Sequence, residues 1–225
     1  MKKYIYLPLF FLFTYCSNNE NNLMILNLKV DGFKKGKIFL QKINDSTIVN
    51  IDSTYVENDD FLQFKHKIKS PEIFYVALDI SKNDNMIEFF GEKGEITIES
   101  NLKKFNSEFN VSGSFNDSIY RNYLNVIKKF NYEKLDLIKS SIKFKKDNKL
   151  DSLDLVENEI KSIEKRKFFY SLNFAVNNGN SAVAPYVAIT NFSNSEKLIL
   201  DTIIGSLEKE VLESKYGKIL SDLKK

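Results

Sequence analysis

The sequence contains few of the residues that build covalent, metal and catalytic sites. Its 225 residues include one cysteine, one histidine and no tryptophan. These counts exclude an internal disulfide, a CxxC pair and a Cys/His zinc site, because each needs more such side chains than the chain has. A Ser-His-Asp triad would depend on His66 alone. We therefore expect no metal, no cofactor and no catalytic residue, and the sequence names no reaction.

Arginine is also scarce, and the net charge is small. The 33 basic residues include only Arg121 and Arg166, and 30 acidic residues reduce the net charge to +3. This balance argues against nucleic acid or an anionic membrane as the main electrostatic partner, and few guanidinium groups are left to recognise bases. What the chain does have is core-forming material, with 43% hydrophobic residues, 19 Phe and 11 Tyr. We expect one large or two small folded domains.

The N-terminus is similar to a lipoprotein signal. Lys2 and Lys3 precede an apolar run over residues 4–15 that is short for a membrane span, and Cys16 follows at once. We expect residues 1–15 to be a signal peptide, Cys16 to become the acylated N-terminus, and residues 16–22 to form a polar tether. The protein would then be anchored by its lipid to a membrane of the cell envelope, facing the periplasm or the cell surface.

The residues just before Cys16 depart from the usual lipoprotein pattern. Phe13, Thr14 and Tyr15 stand where Leu and two small residues are typical, and Tyr15 is bulky for the peptidase. An ordinary signal peptide and an uncleaved anchor therefore remain alternatives, with Cys16 incidental in both.

The hydrophobic period changes once along the mature chain. Residues 23–112 form seven or eight short β-like segments with turn residues about every ten positions, which predicts an antiparallel sandwich or open barrel. In one segment Leu62, Phe64, His66 and Ile68 share a face. Residues 113–225 have a helical period, so the predicted fold class is α+β.

Two helices of about thirty residues are predicted to pair as a long antiparallel hairpin. Asn116 or Asp117 is expected to begin the first and Asp151 the second. Further helices are expected to begin at Ser181, Ser195 and Ser206. The apolar faces that we expect to be buried comprise Ile119, Tyr123, Val126, Ile127, Phe130, Leu135, Ile138 and Ile142 in the first helix, and Leu153, Val156, Ile160, Ile163, Phe169, Leu172 and Val176 in the second.

The candidates for chemistry all have structural explanations. His66 lies in phase with apolar neighbours, and a lone histidine in a strand lacks the partner that acid–base catalysis requires. The acidic pairs Glu92/Glu95 and Asp59/Asp60 are expected in turns or on solvent faces. Gly91 and Gly94 resemble a phosphate loop, but the sequence after them is not helical, so a hairpin turn is the better interpretation.

A short pattern, Asp followed by Ser or Thr and then Thr or an aliphatic residue, occurs five times. It resembles the acceptor motif for O-glycosylation of exported proteins in some gram-negative envelopes. Asp-Ser also suits helix starts and strand entries, so both interpretations stay open. The candidate glycosylation sites are Ser46, Ser53, Ser118, Ser152 and Thr202.

Several segments, in this order along the chain, are similar to one envelope family. They are Asp31-Gly32, IDST at 51–54, FLQF at 61–64, FFGEKG at 89–94, VSGS at 111–114 with Asn116 and Tyr120, NSA at 180–182, and LEKEVLESKYGKIL at 207–220. The family is the domain of unknown function at the N-terminus of thioredoxin-like disulfide oxidoreductase lipoproteins. The resemblance implies a β-rich domain and a helical region ahead of a thioredoxin-like domain.

The sequence departs from that family where the thioredoxin-like domain would begin, since it stops at Lys225 and has no CxxC. We therefore expect a non-enzymatic, lipid-anchored envelope protein that binds or positions an unidentified ligand. The alternative is an accessory subunit that docks to a separately encoded thioredoxin-like protein. An independent hydrolase is a third hypothesis, and the sequence offers it no nucleophile–base pair.

Overall fold

The computed structural model describes residues 22–44, 47–57, 61–79 and 85–223. Cys16, most of the tether, Ser46 and the pair Asp59/Asp60 lie outside the described residues. The expectations for those positions therefore stay predictions.

Eight strands form two four-stranded sheets within the described ranges. The first sheet has the order β4-β1-β7-β8 and the second β3-β2-β5-β6. The strand bounds are β1 Leu23–Asp31, β2 Gly36–Asn44, β3 Thr47–Val56, β4 Leu62–Lys67, β5 Glu72–Leu78, β6 Met86–Gly91, β7 Gly94–Asn101 and β8 Phe109–Ser112. The predicted α+β class with an open β-rich part is confirmed.

One pair of strands departs from the antiparallel prediction. β1 and β7 are parallel, whereas the other neighbours are antiparallel. β6 belongs to the second sheet and β7 to the first, so the chain crosses between sheets at Glu92 and Lys93. The hairpin turn predicted around Gly91 and Gly94 is therefore wrong. Residue period identifies both strands but not the sheet that each one joins.

The core of the sandwich is made by alternate residues of the facing strands. In β1 these are Met24, Leu26, Leu28 and Val30, and they pack in one buried cluster with residues of β2, β5, β6 and β7. Phe74 and Phe89 stack within this cluster with their ring centroids 5.9 Å apart. Burial of each such side chain contributes roughly 1.5–3 kcal/mol, so the β-rich part has a hydrophobic core of its own.

Six α-helices follow the strands in the part of the chain that the structure describes. Their bounds are α1 Phe115–Lys146, α2 Leu150–Asn177, α3 Val183–Phe192, α4 Lys197–Ser206, α5 Lys209–Leu212 and α6 Lys215–Leu223. α1 and α2 form the predicted antiparallel hairpin, because Tyr123 meets Ser171 near its base and Lys134 meets Glu164 further out. The outer face of the second sheet packs against the helices, since Ile73 and Phe90 share a buried cluster with α1, α3 and α6.

The predicted helix starts are displaced by a few residues. Ser114, and not Asn116 or Asp117, is the N-cap of α1, and its side chain accepts a hydrogen bond from the Asp117 N–H. α2 begins at Leu150 without a side-chain cap, so Asp151 lies in its first turn. The later helices begin at Val183, Lys197 and Lys209 instead of the expected serines, and Ser206 ends α4. A serine can cap a helix start or lie inside a helix, and the sequence does not distinguish these roles.

The buried faces predicted for the hairpin extend too far. Leu135 and Ile142 of α1 are 47% and 64% exposed, and Phe169 of α2 is 49% exposed. A 32-residue helix is about 48 Å long, whereas a strand of eight residues spans about 27 Å. The hairpin is therefore longer than the sheets against which its base packs, so Leu135 and Ile142 in its distal part stay exposed. Phe169 is two residues from Ser171 near the base, and it is exposed because it lies on an outward face of α2.

Replacing Gly113 by Ala should destabilise the fold. Gly113 has φ +87°, and an added Cβ would lie 2.1 Å from the carbonyl oxygen of Glu95. We expect the free energy of unfolding to fall by roughly 1–3 kcal/mol from backbone strain, with the clash adding to this loss. Gly205→Ala is the matched control, because that Cβ meets nothing within 4 Å in α4. Denaturant titration with equal stability for both variants would contradict the prediction.

Candidate functional site

Three segments that are distant in sequence meet where the sandwich joins the helices. They are the β6–β7 connection, the start of α1 and the turn before α3. Asn116 links them, since its Oδ1 accepts hydrogen bonds from Ser181 Oγ at 2.8 Å and Ala182 N at 3.0 Å. Its backbone N–H and Nδ2 donate to the carboxylate of Glu92. We call this contact region the junction.

An ion pair in α1, with its carboxylate buried, holds the free edge of β6. Asp117 is 1% exposed and pairs with Arg121 one turn later, with 3.1 Å between Oδ1 and Nη2. The same carboxylate accepts the N–H of Phe90 at 2.9 Å, and Arg121 donates to the carbonyl oxygen of Glu88. These side chains provide the hydrogen bonds that another strand would otherwise make, so α1 covers this sheet edge.

Aromatic rings fill the space under the helices. Phe90 contacts Tyr120, Tyr186 and Tyr216 edge to face, with centroid distances of 5.4, 5.5 and 6.1 Å. The hydroxyl of Tyr120 donates to Glu88 at 2.7 Å. The hydroxyl of Tyr216 accepts the N–H of Ile73 at 3.0 Å. The phenols therefore join α1, α3 and α6 to the outer face of the second sheet.

Burial raises the pKa of these phenols above the usual 10. Burial and the nearby Glu88 carboxylate raise the pKa of Tyr186 to about 12. The pKa of Tyr120 is also raised, first by burial and then by Glu88. The buried tyrosines are accordingly neutral at pH 7, where their hydroxyls act as hydrogen-bonding groups.

A second carboxylate connects the start of β5 to α6. Glu72 is buried and pairs with Lys42 at 3.4 Å and with Lys215. The backbone N–H of Lys215 also donates to Ser70 Oγ at 3.1 Å. One carboxylate between two ammonium groups avoids an unpaired buried charge and fixes α6 beside the sandwich.

A cleft of about 340 Å³ opens beside the junction, and we call it the junction cleft. Lys69 and Lys93 lie on its wall, and neither makes an ion pair with any residue that the structure describes. The remaining lining residues are mainly polar, and they are Asn22, Ile68, Ser70, Pro71, Glu92, Asn116, Asn180, Ala182, Glu210, Val211 and Ser214. Lysine and glutamate side chains line the cleft together with exposed amides, so it suits a ligand that carries charge and forms hydrogen bonds.

The structure separates the remaining candidate residues. The ring of His66 contacts Phe74 edge to face at 5.7 Å, and burial followed by the Lys42 charge lowers its pKa below 6.5. Glu95 accepts a hydrogen bond from Asn27 at 2.5 Å on β1, while its predicted companion Glu92 belongs to the junction. Glu92 lies in the connection between β6 and β7 and Glu95 is exposed on β7, as expected for this pair.

The four candidate glycosylation sites in the described ranges are dispersed over the fold. Ser53 is half-buried in β3, an edge strand, and Ser118 is exposed in the first turn of α1. Ser152 is half-buried in α2. Thr202 is exposed in α4, and its hydroxyl donates to the Leu198 carbonyl oxygen. Glycosylation stays a prediction at each of them.

The described part of the chain was also compared with the requirements of a membrane span and of a metal site. None of its helices combines the length and the apolarity that crossing a membrane requires. Within the same residues, no three His, Cys, Asp or Glu side chains gather closely enough to hold a metal ion.

Sequence reasoning missed the roles of Asp117, Arg121, Lys69 and Lys93. Asp117 and Arg121 have the i,i+4 spacing of a helical ion pair, which is a usable signal for their mutual contact. Their bonds to β6 depend on how α1 docks. Lys69 and Lys93 carry no local signal, because they come together only through the crossing between the two sheets.

Replacing Asp117 by Ala should strongly destabilise the protein. It would leave the buried Phe90 N–H unpaired, which costs roughly 1–3 kcal/mol, and the lost ion pair with the partly exposed Arg121 adds to this loss. Asp136→Ala removes an exposed i,i+3 pair with Lys139 and should cost about 0–1 kcal/mol. Thermal or denaturant unfolding checks both values, and a small loss for Asp117→Ala would show that β6 does not need this cap.

The raised tyrosine pKa values predict a stability limit at alkaline pH. A phenol whose pKa is higher in the folded state stabilises the fold fully below pH 10, and this contribution is lost as the pH rises through the folded value. For Tyr186 the loss should fall between pH 10 and about 12. Glu88→Gln keeps the hydrogen-bond acceptor and removes the charge, so phenolate absorbance should then appear at lower pH. An unchanged titration curve would exclude this influence of Glu88.

Comparison with known proteins finds one match. No curated protein and no solved structure matches the chain. Residues 24–120, which cover the sandwich and the start of α1, match the family model described as Domain of unknown function (DUF4369). The resemblance to an N-terminal domain of unknown function is thereby confirmed over residues 24–120.

Proposed function

We propose that this protein is a lipid-anchored, non-enzymatic module of the cell envelope that positions a partner with its helical hairpin. The proposal rests on the distance between Asn22, where the described part of the chain begins, and Lys146 at the far end of the hairpin. Asn22 and Asn116 line the same cleft, and Asn116 is the second residue of α1. Lys146 ends α1 thirty residues later, about 45 Å away along the helix axis.

The distal hairpin has the side chains that binding requires. Tyr132, Leu135 and Ile142 are exposed along α1, and Leu150 and Leu155 are exposed near the start of α2. Aromatic and large aliphatic side chains supply most of the binding energy at protein interfaces. A partner bound there would be held about the length of α1 away from Asn22, and Asn22 follows the proposed anchor at Cys16 by six residues.

The structural contacts of three acidic side chains support a non-enzymatic role. Glu92 bonds to Asn116, Asp117 pairs with Arg121, and Glu72 bridges two lysines. A general acid or base must be within reach of a substrate proton. These carboxylates instead hold β-strands and helices together.

Photo-crosslinking in cells tests the proposal. A photoreactive residue at position 142 should capture a partner, whereas the same residue at Leu198, which is 72% exposed in α4, should not. Cys16→Ala should abolish labelling by a clickable palmitate analogue. It should also strongly reduce capture at position 142, because the hairpin is no longer held at the membrane. Equal palmitate labelling of Cys16→Ala, or equal capture at both positions, would contradict the proposal.

The second candidate function is an accessory subunit of a thioredoxin-like envelope protein. The sequence resemblance favours it, because the segments quoted above resemble the domain of unknown function that precedes thioredoxin-like domains, and residues 24–120 match a domain of unknown function. In this case the species captured at position 142 should be a thioredoxin-like protein. The chain alone should leave insulin reduction by dithiothreitol at its uncatalysed rate, since thiol–disulfide exchange needs an attacking and a resolving thiol.

A further inference from the structure

We propose that the junction cleft binds the phosphate headgroup of an anionic lipid in the membrane that holds the anchor. The inference rests on the proposed lipid anchor at Cys16. It adds a second, non-covalent contact with the same bilayer, and it identifies which end of the molecule faces the membrane.

The position of the cleft supports this ligand. Asn22 lines the cleft and follows Cys16 by six residues. Six extended residues reach about 20 Å at most. A chain anchored at Cys16 therefore keeps the cleft within that distance of the lipid headgroups, and diffusion brings headgroups to it repeatedly.

Two ammonium groups of the cleft are available to pair with an anion. Lys69 and Lys93 are exposed, and neither has an ion-pair partner among the described residues. Of the two acidic residues on the wall, Glu92 is engaged by two N–H groups of Asn116. Glu92 and Glu210 equal the two lysines in formal charge, but Glu92 is bound by Asn116 and neither carboxylate pairs with Lys69 or Lys93. Both ammonium groups can therefore pair with a phosphate, although the protein as a whole is close to neutral.

The other polar groups of the cleft match a phosphodiester and its alcohol substituent. Asn22 and Asn180 have exposed amides that can donate and accept hydrogen bonds. Ser70 and Ser214 are already bonded to Lys215 and Gly217. A volume of about 340 Å³ is within the usual range for small-ligand pockets and admits a glycerophosphate group. Two lysines attract phosphate as point charges, without the fixed geometry of an arginine fork.

The test uses the mature chain from Cys16 to the C-terminus, produced without its lipid, and vesicles of phosphatidylcholine with or without phosphatidylglycerol. Sedimentation should show binding that requires phosphatidylglycerol. The double variant Lys69→Glu/Lys93→Glu should weaken it by roughly thirtyfold or more. The matched control is Lys34→Glu/Lys35→Glu, which changes the net charge equally at exposed residues between β1 and β2, at the opposite end of β1. Circular dichroism confirms that the variants are folded.

Glu210→Gln sharpens the test, because removing the opposing charge should strengthen vesicle binding. Equal losses in the two lysine pairs, or no gain in Glu210→Gln, would overturn the cleft as the site. Inorganic phosphate and glycerol 3-phosphate separate the possible sources of the anion. If either one binds the cleft with vesicles absent and as tightly as the vesicles do, the lipid is not its ligand.

The lipid anchor is checked separately, so that the two failures can be distinguished. Lys69→Glu/Lys93→Glu should leave palmitate labelling of Cys16 in cells unchanged. Normal labelling combined with no vesicle binding would refute the headgroup site and spare the anchor. No labelling of the unmodified protein would refute the anchor and remove the basis for this inference.

Discussion

The ion pair between buried Asp117 and half-buried Arg121 is the contact that docks α1 on the edge of the sandwich. An open sheet leaves the N–H and C=O groups of its edge strands unpaired, and burying them unpaired is costly. The second sheet ends in β6 on one side, where Phe90 N–H bonds to Asp117 and Glu88 C=O to Arg121. The edge is therefore closed by side chains of a helix, and that requirement fixes the position of α1.

The rest of the junction follows from the position of α1. With α1 docked on β6, Asn116 reaches both Glu92 and the turn before α3. Tyr120 is brought against Phe90, and the ring cluster extends to Tyr186 and Tyr216. Several of the segments that carry the family resemblance meet here. In this structure these segments join strands to helices, which gives the polar residues of the motif a structural role.

The sequence determined the local structure well. Alternation at residues such as Leu62 to Ile68 located the strands, the helical period after Gly113 located the hairpin, and the scarcity of Cys and His limited the chemistry. Errors occurred where a residue type fits more than one role. Asp117 and Asp151 suit a helix cap as well as a first turn, and Phe169 suits a core as well as an exposed face. Local preference does not choose between them.

By itself the sequence determined the α+β class, the two long helices, the candidate anchor at Cys16 and the resemblance to a domain of unknown function. Only the tertiary structure decided that β7 lies parallel to β1, that Asp117 and Arg121 close the edge of β6, and that Lys69 and Lys93 share a cleft. The physical reason is the range of the interactions. Periodicity and capping act between residues a few positions apart, whereas sheet order and edge pairing join segments that are distant in sequence and become neighbours only when the core packs.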